Sequence, residues 1–310
     1  MTCIAVTGAG GFLGRAIVAA VTAQGHEVIA LTRADADLAD GQGLAEALMR
    51  ADAVIHAAAG HGGDQAHARD TLKATDTLIA ALPTGARLVL VSSFSVYAFE
   101  KLADGAVLDE TTPTDPDGVA RDAYARAKIG QEKQTIHAAQ TAGLDLWIAR
   151  PGAIFGPGRT TTARLGWHKF GRWFCPGGDS PIPAIHVDAC AQALVAAATV
   201  EDQGWPDDVP ISESSGHVRI VNLVHAAAPT QTEWLQAIGA SAIRLPYKMM
   251  MRLAALPGIG RVIPNALRPP TLAARFKPLR FATDRLEQRL DVSFDTSFAD
   301  AMADSRKGVG

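Results

Sequence analysis

Two spacings in this sequence are able to carry chemistry. Tyr124 and Lys128, in Tyr124-Ala125-Arg126-Ala127-Lys128, stand four apart and therefore share a face if the segment is helical. A cation beside a phenol favours the phenolate and draws its pKa from about 10 toward working pH, where the group trades protons as a general acid and base. The second spacing is Thr7-Gly8-Ala9-Gly10-Gly11-Phe12-Leu13-Gly14. Glycines at a strand-to-helix turn bring backbone N–H groups and the positive end of a helix dipole to one point, which suits a pyrophosphate. Gly-x-Gly-x-x-Gly would need glycine where Leu13 stands, so the pattern is Gly-x-x-Gly-x-x-Gly over Gly8, Gly11 and Gly14.

Neither spacing works without elements that hold it. Apolar runs at 3–6, 28–31, 53–56, 87–92 and 146–149 alternate with helical stretches at 12–24, 43–50, 66–81 and 124–142. Strands apolar throughout, taking turns with helices, predict an α/β fold: a doubly wound, Rossmann-type parallel sheet covered on both faces. The glycine loop then follows the first strand, and Ser92-Ser93 ends the strand 87–92 in hydroxyls. After Arg150 proline and glycine become frequent, which predicts a dinucleotide-binding domain over 1–150 and a smaller, less regular substrate lobe over 151–310. Segments within about 185–225 are expected to pack back on the sheet. They include a helix at 187–200, with His186 fixing its start and Asp188 capping it.

The tip of the second strand should report the choice of dinucleotide, because an Asp or Glu there would bind the ribose 2′-hydroxyl of NAD. The residues are Leu31-Thr32-Arg33. No carboxylate stands there to repel a 2′-phosphate, and Arg33 can grip one, so NADP is expected in preference to NAD. A solvated surface charge is the alternative role for Arg33.

Bulk properties narrow the classes. With 310 residues, 48% hydrophobic and 20% charged, and a net charge of −3, the chain has the composition of a globular protein with no bias toward nucleic acid. Three cysteines without a Cys-x-x-Cys pair argue against a disulfide framework or structural zinc. No basic leader or membrane-spanning apolar stretch is legible, so a cytoplasmic location is expected. His56, His61 and His67 lack the carboxylate spacing of a metal site, and no metal is expected.

The chain resembles the extended short-chain dehydrogenase/reductase family, also called the NAD-dependent epimerase/dehydratase family. The matching pieces are TGAGGFLG at 7–14, DADLAD at 35–40, DAVIHAAA at 52–59, LVSSFSVYA at 90–98, YARAK at 124–128, RPGAIFGPG at 150–158 and HVDACAQAL at 186–194. The resemblance implies that Tyr124 exchanges the proton at the substrate oxygen, that Lys128 holds the nicotinamide ribose and lowers the Tyr124 pKa, and that Ser93 hydrogen-bonds the substrate oxygen. It implies that Gly8, Gly11, Phe12, Leu13 and Gly14 form the cofactor loop and that Asp37 and Leu38 border the adenine. Ala57 and Ala58 would line the cleft, with Pro151 approaching the nicotinamide. Ser92 or Ser95 is the alternative to Ser93, and Tyr97-Ala98 departs from the family's Tyr-Gly.

The subclass follows from departures. Phe94 and Ser95 stand where sugar-nucleotide dehydratases carry Asp-Glu, and no arginine precedes the His186-Val187-Asp188 segment as it tends to in epimerases. The resemblance therefore implies an NAD(P)-dependent reductase or dehydrogenase acting on a carbonyl or secondary alcohol of a non-nucleotide substrate. A nucleotide-sugar epimerase is the alternative, and a non-catalytic NADP-binding regulator a further one. A homodimer packed through the helices at 66–81 and 124–142 is also implied. Finally, residues 234–283 contain no Asp or Glu but hold eight Lys and Arg among Met249, Met250, Met251, Ile259, Val262 and Ile263. A solvated amphipathic cap, a membrane-touching lid and an anionic-substrate site are the three readings of that segment.

Overall fold

The computed structural model describes the chain apart from residues 61, 117–120, 178, 202–216, 257–266, 291, 293–295 and 308–310. His61, Gly178, Ile259, Arg261, Val262 and Ile263 lie outside the described residues. Strands β1 (Cys3–Thr7), β2 (Glu27–Leu31), β3 (Ala53–His56) and β4 (Arg87–Val91) join Asp145–Pro151 and Val218–Leu223 in one six-stranded sheet. From edge to edge the order is Val218–Leu223, Asp145–Pro151, β4, β3, β1, β2, and every pairing is parallel. The doubly wound α/β expectation is met.

Successive side chains of a strand point to opposite faces, so a strand covered on both sides needs apolar residues at every position. Ile4 and Val6 face Ile17 and Val21 of helix α1 (Phe12–Ala23) and Leu194 of the helix Val187–Thr199. Ala5, Val54 and Leu88 face the other way, onto Leu44, Leu78 and Ala139. The chain runs from β1 to β2 on one side and then places β3 on the other side of β1. The strand order reverses there, and the C-terminal ends of β1 and β3 open the crevice in which such sheets hold ligands.

Two helices differ from expectation. The stretch expected at 66–81 starts at Asp64 and contains a π-helical turn, Ala68–Lys73, between the α-helical pieces Asp64–His67 and Ala74–Ala81. The helix Val187–Thr199 is capped by His186, whose Nδ1 accepts the Asp188 backbone N–H at 3.3 Å, and not by Asp188. Asp188 already lies inside the first turn, where its own N–H needs the cap and its carboxylate favours the helix dipole.

Beyond Pro151 the elements are short. Ala153–Phe155 pairs with Ala184–His186, and Trp234 and Phe298 each pack edge to face on Phe155. Val107–Leu108, from the first half of the chain, pairs with Arg280–Phe281. Among the described residues no helix is long and apolar enough to cross a membrane.

Candidate functional site

The glycine loop is shaped by what its missing side chains allow. Gly8 adopts a left-handed φ of 70°, and a Cβ there would come within 2.9 Å of the Ala58 backbone. A Cβ on Gly14 would overlap the Gly8 carbonyl oxygen, so that glycine lets α1 seat against the end of β1. The Gly11 N–H donates to the Gly8 carbonyl at 2.9 Å, and α1 starts with no side-chain cap and no acidic residue in its first turn. Its leading N–H groups and dipole are therefore left for an anion.

A groove of about 270 Å³ opens beside this loop. Gly8, Gly11, Arg33, Asp37, Leu38, Ala57 and Ala58 of the expected cofactor residues line it. Gly14 lies behind the loop, and Leu13 packs into the core. The Phe12 ring sits 5.4 Å from the Arg159 guanidinium, and Pro151 is buried at the end of its strand. Thr32, Asp70 and Ala74 line the groove without having been expected. The uncapped helix and the absent Cβ atoms fit the pyrophosphate of a dinucleotide.

At the β2 end of the groove the charges are paired. Arg33 meets Asp70 at 3.1 Å, Arg69 meets the other Asp70 oxygen at 2.6 Å, and Arg69 also bonds Asp37. The hydrogen bond from Arg69 holds the Asp37 carboxyl below the usual carboxylate range. Asp35 accepts the Thr32 N–H at 2.9 Å and hydroxyl at 2.6 Å, which lowers it in the same way and ties off the tip of β2.

Tyr124 stands on the helix Ala123–Ala142, capped at its start by the Asp122 carboxylate and ended by Gly143 in a left-handed turn. Tyr124 opens it and keeps 41% of its surface exposed. Burial pushes its phenol above the ordinary value, and the Ser93 hydroxyl's hydrogen bond and the Arg159 charge act against that push. Of the three neighbouring serines, Ser92 donates to Glu132 at 2.5 Å and the Ser95 hydroxyl is buried without a partner, which leaves Ser93 beside the phenol.

Lys128, four residues on, has a buried ammonium that donates to the Val91 carbonyl and to Gln131 Oε1, each at 2.8 Å. Burial draws Lys128 down to about 8, against the pull of Glu132. Gln131 in turn donates to Thr75 at 2.7 Å and stands 3.3 Å from His56 Nε2, while His56 Nδ1 meets the Thr7 hydroxyl at 2.8 Å. Burial, with the Lys128 charge behind it, pushes His56 down to about 3, so this ring is neutral. A hydrogen-bonded chain thus runs from Lys128 to the residue that starts the glycine loop. Gln131, three after Lys128 and on the same helical face, carried a legible signal for this.

Below it, Arg150 grips both Glu132 oxygens, at 2.9 and 2.7 Å, and stacks 4.7 Å over the Tyr97 ring. The Tyr97 hydroxyl donates to Asn222 at 2.6 Å. This network locks the ends of Asp145–Pro151 and Val218–Leu223 to the Tyr124 helix, and it occupies the Tyr97 turn that departed from the family wording.

Among the described residues no three His, Cys, Asp or Glu side chains gather as a metal site. Arg159 was not expected; it reaches from the loop after Phe155 toward both Phe12 and Tyr124. In the basic segment, Lys248 and Arg275 pair with Asp104 and Asp122 at 3.7 Å, while Met249 and Leu253 remain exposed on the helix Tyr247–Ala254.

The NAD dependent epimerase/dehydratase family model matches residues 4–211. A 2-alkyl-3-oxoalkanoate reductase from Stenotrophomonas maltophilia is 35% identical over 174 residues, covering 50% of this chain and 52% of that one. A dTDP-4-dehydrorhamnose reductase from Mycolicibacterium smegmatis is 29% identical over 159 residues, 48% of this chain and 46% of that one. The chain spans about half the length of these curated relatives. Among solved structures, UDP-glucose 4-epimerase from Brucella ovis in complex with NAD superposes with a TM-score of 0.71 at 16% identity, over 100% of this chain and 99% of that one. The UDP-glucose 4-epimerase of Thermus thermophilus in complex with NAD gives 0.68 at 18% identity, over 99% and 98%.

Proposed function

The chain belongs to the NAD dependent epimerase/dehydratase family, and from that premise we propose that it is an oxidoreductase moving a hydride between a nicotinamide dinucleotide and a carbonyl or secondary-alcohol carbon. The observation that carries this reading is that one parallel sheet brings the glycine-lined groove to the C-terminal end of β1 and Ser93, beside Tyr124, to the C-terminal end of β4. A bound nicotinamide dinucleotide supplies the hydride chemistry. The groove residues named above would hold it.

The chain's own residues supply the rest. Tyr124, a phenol that is protonated at neutral pH, donates its O–H proton to the substrate oxygen in reduction and, as phenolate, takes a proton back in oxidation. Ser93 orients that oxygen beside the phenol. Lys128, fixed by Val91 and Gln131, places a positive charge under the site. The absent Asp-Glu pair at Phe94-Ser95 and the reductase names of two relatives favour simple reduction over dehydration or epimerisation.

The test is a panel of ketones and aldehydes with NADH and NADPH, run on the wild type and on Tyr124→Phe. Turnover that falls by about 100-fold or more in the variant, with cofactor affinity retained, is expected. Steady interconversion of a UDP-sugar with no net change in nicotinamide would overturn the reading in favour of an epimerase.

A further inference from the structure

We propose that Asp70 decides which dinucleotide the groove accepts, by presenting a carboxylate to it from across the groove, while the Asp35 carboxylate at the tip of β2 is turned onto Thr32 and does not line it. The proposal rests on the reading of the groove as a dinucleotide site. The charged residues lining it are Arg33, Asp37 and Asp70. Arg33 is the cation a 2′-phosphate would need, and it already faces Asp70 at 3.1 Å. A phosphate arriving there brings at least one more negative charge against a carboxylate that stays in place. A ribose 2′-hydroxyl arriving there brings a donor, which a carboxylate accepts.

Asp70 stays in place because it is built in. Its side chain is 19% exposed against 71% for Arg33, and Arg69 holds its second oxygen at 2.6 Å. The loop after β3 presses against it: a Cβ on Gly60 would come within 3.1 Å of the Asp70 Cβ, and the Gly60 N–H donates to Thr71 at 2.8 Å. Asp70 also sits within the π-helical turn Ala68–Lys73, a geometry that recurs at functional sites. Arg33 is therefore the movable partner and Asp70 the fixed one. The expectation of NADP from Arg33 alone gives way to a preference for NAD.

The experiment measures dissociation constants of NAD⁺ and NADP⁺ by titration calorimetry on the wild type, Asp70→Asn, and Asp70→Asn with Arg33→Ala. The wild type should bind NAD⁺ more tightly. Asp70→Asn should shift the ratio of the two constants toward NADP⁺ by about tenfold, the effect of removing one like charge near a surface. Adding Arg33→Ala should abolish that gain. Asp70→Ser serves in the same way if the Asn variant fails to fold. An unchanged ratio in a folded variant would overturn the role of Asp70 while leaving the groove's reading intact. Failure of the wild type to bind either nucleotide would overturn both.

Discussion

The tip of β2 and the surroundings of Tyr124 hold comparable numbers of charged groups by opposite means. At the β2 end, Arg33, Arg69, Asp37 and Asp70 pair in reach of water, where ion pairs add little to folding. Near Tyr124, Lys128, Glu132 and Arg150 are each under 5% exposed; Lys128 donates to Val91 and Gln131, and Arg150 grips both Glu132 oxygens. Buried charges are expensive to break and hold geometry tightly, whereas exposed ones can change partners at small cost. The rigid, buried charges thus stand beside Tyr124, and the more exposed ones, Arg33 and Arg69 above all, stand at the tip of β2.

The largest blow to this contrast is Glu132→Ala, which leaves Arg150 buried and unpaired. A loss of about 3–5 kcal/mol in unfolding free energy is expected from urea titration. A loss near that of a surface pair would mean that water reaches the network. A smaller effect comes from pH. Since His56 is depressed from 6.5 to about 3 when folded, the unfolded chain binds a proton there that the folded chain does not. Its contribution is complete above pH 6.5 and is lost as pH falls toward 3, at no more than roughly 1.4 kcal/mol per pH unit. The thermal midpoint should fall over that window in the wild type and less steeply in His56→Gln. The smallest effect belongs to the tip of β2: Arg69→Ala should leave the thermal midpoint unmoved, and a marked drop would show that the exposed quartet carries stability after all.

Legibility in the sequence divides along the same line. The glycine loop, the Tyr124–Lys128 spacing and the alternating strands are local patterns, and the sheet and the line of the groove followed from them. What the residues around Tyr124 do to one another was not local. The Lys128 ammonium goes to Val91 and Gln131 because a buried cation takes the nearest oxygens that can satisfy it, and spacing along one helix does not show what stands across from it. Asp70 was missed for a sharper reason: it meets Arg33 from 37 residues further along, on a different element from the strand tip where a carboxylate is sought. Arg159 was hidden in the same way, by a loop whose course the proline and glycine residues around it do not specify. His186 took the capping role because a cap is fixed by where the turn starts.

The π-helical turn Ala68–Lys73 has one further consequence. Such a turn carries one residue more than the α-helix it interrupts, and each residue advances the helix by about 100°. Removing that one residue would let the α-helix run through with its flanks still in phase, so the change would fall on the side chains of the turn itself, Arg69 and Asp70, and leave Thr75 facing His56. In this helix, length therefore sets where Arg69 and Asp70 point: a one-residue deletion would rearrange the charges along the groove without substituting any of them.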